Sequence, residues 1–585
     1  MMGVLILQKG MNGVSYLKKY FIRYGKLFVI SLCFLTLEAL CDLFQPAVMS
    51  RIVDVGIRNR DMAFVLRMGG VMLGVTALGA VGAVVRNNLS SRVSQRFGGD
   101  LRADLYARIQ SLSYETAARF DTASLVTRLT NDVTQLQNFA NGLMRVFIKA
   151  PILCVGGIVM ASLLDPQGAL VLALVVPCVA AIIVFGMRRG YPLFARVQRA
   201  VDGVNGAMRA YLGGVRVVKS FHRFDYEEAR FAQENETLCD AQARAMRTMA
   251  MFGPSVMMVV NLGIVAVLWL GGWRINDGSL AVGKVIAFIN YMTQISTSLM
   301  TIFMVFTMFV RARASAERIG DVMNAQDVLH EPARPHKLEA EARVRFSQVT
   351  FAYPKGEPVL RDISFDCKAG QTLGIIGSTG AGKTSLVDLI PRFYDPMEGT
   401  VEVCGVDVRE ADTAELRRRI AMVPQKSTLF TGTILENLRW GDEHAAREEI
   451  EAAAKLAQAH DFITALPEEY DTRLGQGGVN LSGGQKQRLA IARALVRRPD
   501  ILILDDCTSA VDAVTERKIR AGLHAAARGL LCIVIAQRIT SVMDAERILV
   551  LDEGRIVGSG THAELLAGCA VYQDIFASQY GKAGV

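Results

Sequence analysis

Hydrophobic positions in the first 310 residues fall into six long blocks, at residues 27–48, 65–85, 143–164, 169–187, 251–273 and 282–310. Each is close to or above the roughly 20 residues that a helix needs to cross a bilayer core. The pattern therefore predicts six spans, the last of them running on into water. Connections near Gly56, Pro166 and Asp277 are short, whereas those at 86–145 and 188–247 are each about 60 residues long. Their apolar spacing is helical with few prolines, which predicts helices reaching far beyond the membrane. Apolar density falls after Arg311, and residues 324–341, with Pro332 and Pro335, read as a linker. Beyond it, short apolar strands alternate with helical segments, the pattern of an α/β domain. The expected division is a leader with an interfacial helix at 1–25, a six-helix membrane domain at 26–323, the linker at 324–341, and the α/β domain at 342–585.

Charge sharpens this division. The chain is 51% hydrophobic with a net charge of +9, which excludes a disordered polymer and at first suggests nucleic acid. The distribution points elsewhere. Residues 331–585 carry 31 Lys+Arg against 35 Asp+Glu, so the first 330 residues hold +13. The apolar half is the basic half, which indicates a membrane and no nucleic-acid partner. Most of that charge lies on the long loops: Arg86, Arg92, Arg96, Arg102, Arg108, Arg119 and Arg128 on one, and Arg188 through Arg230 on the other. Positive loops stay cytoplasmic, so both termini and both long loops are expected inside, although Arg51, Arg58 and Arg60 weaken the bias locally.

Smaller features complete the membrane half. Residues 16–24 alternate basic and aromatic side chains and suit an interfacial helix on the inner leaflet. Residues 1–13 read as a cytoplasmic leader without a cleavage site. The ten cysteines show no CxxC or CxxxH spacing, so neither a zinc site nor a disulfide framework is indicated. Glu38 and Asp42 share a helix face within the first span. Intramembrane carboxylates face a cavity or find partners on neighbouring helices, and both readings stand here. Met292, Met300, Met304 and Met308, with Phe303 and Phe306, form an adaptable apolar set; Gly253 and Pro254 predict a kink in the fifth span.

One motif in the second half decides the chemistry. Gly377-Ser378-Thr379-Gly380-Ala381-Gly382-Lys383-Thr384, with Ser385 next, follows a predicted strand at 372–376. This is GxxxxGK[ST] in its strand-then-helix context. Glycines let backbone amides cradle phosphates at a helix N-terminus, Lys383 would reach the β- and γ-phosphates, and Thr384 would ligate Mg²⁺. A second apolar strand, 501–504, ends in Asp505, a carboxylate placed to hold the Mg²⁺ shell. Between them Leu481-Ser482-Gly483-Gly484-Gln485 opens a helix and offers further phosphate donors. ATP and Mg²⁺ are the expected ligands.

With LSGGQ the whole chain resembles an ATP-binding cassette (ABC) exporter half-transporter: an α-helical six-span transmembrane domain fused to an α/β P-loop ATP-binding cassette. The resemblance implies that Tyr353 stacks on adenine, that Gln425 is the Q-loop residue near Mg²⁺, and that Ser509-Ala510-Val511-Asp512 is the D-loop. It also implies coupling loops at Phe120-Asp121 with residues 125–132, and at residues 214–221. The implied function is ATP-driven export of drug-like, lipidic or peptide cargo across the cell membrane by alternating access.

Two positions depart from the family pattern. Active members carry Glu after the Walker B Asp to orient the attacking water; this chain has Asp506, one methylene shorter. They carry a switch His near the γ-phosphate; this chain has Gln537, which carries neither proton nor positive charge. Because the resemblance implies that two cassettes close head to tail, the intact LSGGQ would complete a site whose Walker motifs come from another chain. The expectation is the impaired subunit of a heterodimeric multidrug-type exporter. The alternatives are a slow homodimer and an importer of metal chelates built on the exporter fold.

Overall fold

The computed structural model describes residues 15–580 apart from 340, 355, 527 and 528; the expected leader at 1–13 lies outside the described residues. The chain forms two compact units. One comprises the residues up to Ser111 and Phe120–Ala325; the other comprises Leu112–Arg119 and Gln326–Val585.

Among the described residues of the first unit, six helices are long and apolar enough to cross a membrane, and each expected span falls inside one of them: Lys18–Ile57, Met62–Ser111, Thr122–Leu164, Ala169–Ser220, Phe224–Asn276 and Val282–Met323. At 1.5 Å per residue, a helix of 52 residues such as Ala169–Ser220 is roughly 78 Å long, far more than the ~30 Å hydrocarbon core. The long loops are therefore helical continuations of the spans.

One local expectation changes. The basic–aromatic segment is not a separate interfacial helix, because α1 runs unbroken over Lys18–Arg51. Gly25 is the one weak helix former between Lys18 and Leu27, and side chains tie the segment down. Tyr20 and Lys19 bond Asp104, and Tyr24 and Arg23 bond Asp100, on α2, Met62–Ser111. Within the expected coupling loop, Asp121 caps the helix Thr122–Thr127, and just before it lies the short helix α3, Tyr114–Ala118, capped by the Ser113 side chain. Residues 214–220 form the last turns of α4, Ala169–Ser220, and the chain reverses at His222 in a left-handed conformation (φ 52°). The fifth span breaks where Pro254 predicts. One helix ends at Ala250 and the next starts at Phe252, since proline supplies no amide for the carbonyl four residues earlier.

The second unit has two main sheets. β1 (Arg343–Ala352), β2 (Pro358–Lys368), β4 (Glu398–Val403) and β5 (Val406–Asp407) form an antiparallel sheet in the order β2-β1-β4-β5. The other sheet has the order β10-β9-β3-β8-β7-β6, where β3 is Thr372–Gly377, β6 is Ile420–Val423, β7 is Ile501–Asp505, β8 is Leu531–Ile535, β9 is Arg547–Asp552 and β10 is Arg555–Gly560. β9, β3, β8, β7 and β6 run parallel. Ile501–Asp505 is buried throughout, as is the run from Leu373 to Ile376, the continuous apolar signature of strands covered on both faces. The loops after β3, β7 and β8, at the carboxyl ends of neighbouring parallel strands, carry the chemistry.

Candidate functional site

β3 ends at Gly377, where an added Cβ would lie 2.0 Å from the Leu551 carbonyl oxygen on the neighbouring strand. No other residue fits there. The loop then needs left-handed backbone at Gly380 (φ 87°) and Gly382 (φ 93°), which glycine adopts without steric cost. The helix α5, Lys383–Asp388, starts directly behind. Lys383 Nζ donates to the carbonyls of Gly377 (2.9 Å) and Ser378 (2.7 Å), closing the loop over itself. Burial lowers its pKa, against the opposing charges of Asp506 and Asp505. Thr384 Oγ1 donates to Asp505 Oδ2 at 2.9 Å. A hydroxyl and a carboxylate held together are the hard oxygen donors Mg²⁺ prefers, so the residues present fit both a triphosphate and its metal. Ser378 donates to Asp552, and the Tyr353 hydroxyl shares a 2.8 Å hydrogen bond with Ser385 Oγ.

Asp506 follows β7 with φ 44°, its amide bonded to the Ile535 carbonyl on β8. Its Oδ2 accepts from two amides at once: Gln425 Nε2 at 3.1 Å and Gln537 Nε2 at 2.8 Å. Asp506, Gln537 and the expected Q-loop residue Gln425 thus meet at one oxygen. Burial raises the pKa of Asp506, opposed by the Gln425 bond and by Lys383; burial likewise raises Asp505. Deeper on α5, burial and then the Asp505 charge push Asp388 up to about 6.

The signature opens α6, Gly483–Val496. Ser482 Oγ accepts from the Gln485 amide, and the Gln485 side chain accepts in return from the Ser482 amide (2.8 Å). This capping box occupies Gln485, while the first-turn amides of Gly483 and Gly484 have no intrahelical acceptor. A Cβ on Gly484 would lie 2.8 Å from the Ala510 oxygen. Sequence reasoning missed the side chains that fasten these motifs to one another. Gln487 bonds Ser509 and the Ala510 amide, and buried Glu516 accepts from Thr508 and Ser541. Gln487 lies two residues beyond the motif, and none of these partners has a local spacing that announces it.

In the first unit, Glu38 is buried and accepts from Arg86 Nε (2.7 Å) and Lys149 Nζ (2.5 Å), and Lys149 also reaches Asp42 (2.9 Å). The two carboxylates are satisfied by neighbouring helices. The methionine set does not form one face, since Met292 is fully buried whereas Met304 is 64% exposed.

Residues 28–299 match the family model of the ABC transporter transmembrane region, and residues 360–509 match the ABC transporter family model. An uncharacterized ABC transporter ATP-binding protein of Bacillus subtilis is 39% identical over 98% of this chain and 99% of its own. An ATP-dependent lipid A-core flippase of Chromohalobacter salexigens is 32% identical over 97% of this chain and 98% of its own. A bacterial Atm1-family ABC exporter solved with ATP bound superposes with a TM-score of 0.79 at 28% identity, covering 96% of this chain and 99% of that one. Six apolar helices joined to a phosphate loop, a Walker B carboxylate and a signature helix make this chain a multi-pass membrane protein and an ATP-driven half-transporter of the ABC exporter family.

Proposed function

We propose that this chain is the hydrolysis-impaired half of a heterodimeric exporter: it binds Mg²⁺–ATP at its own Walker motifs and lends an intact signature to a partner's competent site. The observation that carries the reading is the Asp506 carboxylate held by Gln425 and Gln537. A carboxylate shortened by one methylene, with one oxygen already accepting two amide donors, is poorly placed to orient a water, and Gln537 adds no charge opposite the γ-phosphate. Bound ATP supplies a γ-phosphoryl group whose transfer depends almost entirely on positioning and charge. In this chain the amides from Ser378 to Ser385 would hold phosphates, Lys383 would leave its two carbonyls for phosphate oxygens, Thr384 and Asp505, with Gln425, would hold Mg²⁺, and Tyr353 would stack on the base. Ser482, Gly483, Gly484 and Gln485 would face the partner's nucleotide.

The working division is the membrane domain 26–323, the linker 324–341 and the nucleotide-binding domain 342–585. The basic long loops support placing the latter in the cytoplasm. The flippase and exporter relatives favour amphipathic small molecules or lipids as cargo, moved outward across the cell membrane. The test is reconstitution with a second half-transporter that has Glu after its Walker B Asp and His at the switch position. The pair should hydrolyse ATP at least tenfold faster than this chain alone; equal rates would sink the heterodimer and favour the homodimer.

A further inference from the structure

The second unit includes a piece of chain from far upstream. Leu112–Arg119 groups with Gln326–Val585, and its attachment is specific. Asp327 Oδ2 accepts from the Ser113 amide and Oδ1 from Thr116 Oγ1, both at 2.9 Å. The Val328 amide donates back to Thr116 Oγ1 at 3.4 Å. This clamp holds α3, and with it Tyr114, at a fixed place on the domain.

Tyr114 begins a continuous run of rings. Its ring stacks on Phe393 (5.3 Å between centroids, 30°) and meets Tyr394 edge-on (5.8 Å, 87°). Tyr394, 8% exposed, meets Tyr353 edge-on in turn (5.3 Å, 88°) and packs on Phe351. Tyr353 closes the run through its hydroxyl on Ser385 of α5. The turn carrying Phe393 and Tyr394 is itself braced. Arg392 bonds Asp395 and the His330 carbonyl, and Arg417 bonds the carbonyls of Pro391 and Arg392 while its guanidinium lies over Phe393 (5.4 Å). Edge-to-face pairs fix ring orientation as well as distance, so the tilt of Tyr353 is set from behind by Tyr394, and that of Tyr394 by Tyr114. Tyr353 is not free to turn.

We propose that Tyr114 is a positioning residue for the adenine site: through Tyr394 it holds the Tyr353 ring in its base-stacking orientation, so that affinity for the adenine base depends on the segment Ser113–Ala118 being seated. The inference rests on the reading of Tyr353 as the base-stacking residue. Neither Tyr114 nor Asp327 touches the phosphate loop, and the run meets that segment only at the Ser385 hydroxyl, not at its amide, so the dependence falls on the base and spares the phosphates. The Tyr114 hydroxyl makes no hydrogen bond in the run, so the ring alone carries the effect.

The experiment is calorimetric titration of the purified full chain in nanodiscs, with Mg²⁺, using ATP and inorganic tripolyphosphate as separate probes. Tyr114→Ala should weaken ATP about 3- to 10-fold, the scale of one or two lost aromatic pairs, and leave tripolyphosphate unchanged. Tyr114→Phe should match the parent for both probes. Asp327→Asn, which loosens the clamp, should shift ATP in the same direction by about 2-fold. Equal weakening of both probes would show a merely structural role and overturn the proposal, as would unaltered ATP affinity in Tyr114→Ala. Tyr353→Ala separates the premise from the inference. If it does not weaken ATP relative to tripolyphosphate, the stacking role of Tyr353 fails. If it does while Tyr114→Ala has no effect, only the positioning role fails.

Discussion

Charged side chains gather in partly buried places in both units, and the two gatherings differ in what satisfies them. In the membrane unit, Glu38, Asp42, Arg86 and Lys149 pair among themselves, carboxylate to cation, at 2.5–2.9 Å. In the nucleotide-binding unit, Lys383 rests on two backbone carbonyls, Asp505 on one threonine hydroxyl and Asp506 on two neutral amides. There burial displaces the pKa of all three toward their neutral forms. The first cluster is closed and holds helices together. The second is open, with charges whose natural counterparts, phosphate and Mg²⁺, come from outside. Burial costs the second cluster stability that a bound ligand would return.

Breaking the closed cluster should have the largest effect. Glu38→Gln leaves buried Arg86 without its carboxylate and Lys149 with Asp42 alone, and removing one partner of a buried pair costs about 3–5 kcal/mol. The expected result is a clear drop in unfolding temperature in nanodiscs, partly recovered when Arg86→Gln removes the orphaned cation and leaves the Lys149–Asp42 pair intact. No drop would mean that the cluster is solvated. The open cluster should respond in function. Supplying both missing groups, Asp506→Glu with Gln537→His, should raise ATP turnover about 100-fold, the low end of what positioned acid–base groups contribute. Next, Lys383→Ala should weaken ATP binding about 10- to 100-fold, the scale of charge-assisted hydrogen bonds to phosphate, measured by calorimetry.

The smallest effect concerns Asp388. Its folded pKa of about 6 lies above the usual carboxylate value, so its neutral form is favoured in the folded state. Its favourable contribution is present at low pH and is lost as pH rises through about 6. Asp388→Asn should therefore stabilise the protein by about 1 kcal/mol at pH 7.5, after discounting for its partial exposure, and change little at pH 4.5. Thermal unfolding at the two pH values measures it; equal gains at both would contradict the burial argument.

The parts legible in the sequence are those whose physics is local. Gly377, Gly380 and Gly382 are dictated by backbone that a side chain would obstruct, and the Asp505 strand by continuous burial. Six spans follow from length and composition alone. What stayed hidden depends on partners distant in the chain. Arg86 looks like the first residue of a polar loop because the apolar run stops there, yet it is buried against Glu38. The short helix Tyr114–Ala118 was not expected, because the Ser113 cap and the Asp327 clamp that fix it are separated by more than 200 residues. The interfacial helix was expected because amphipathic spacing says nothing of Asp100 and Asp104, the anchors that draw the segment onto α2.

The central claim is that this Walker site binds ATP and scarcely cleaves it. The direct measurement is steady-state ATP turnover by this chain purified alone in nanodiscs, with saturating Mg²⁺–ATP and binding verified on the same sample. The account predicts bound ATP with turnover below roughly 0.1 s⁻¹, against the ~10 s⁻¹ typical of enzymes. Turnover near that typical value, abolished by Lys383→Ala, would contradict it.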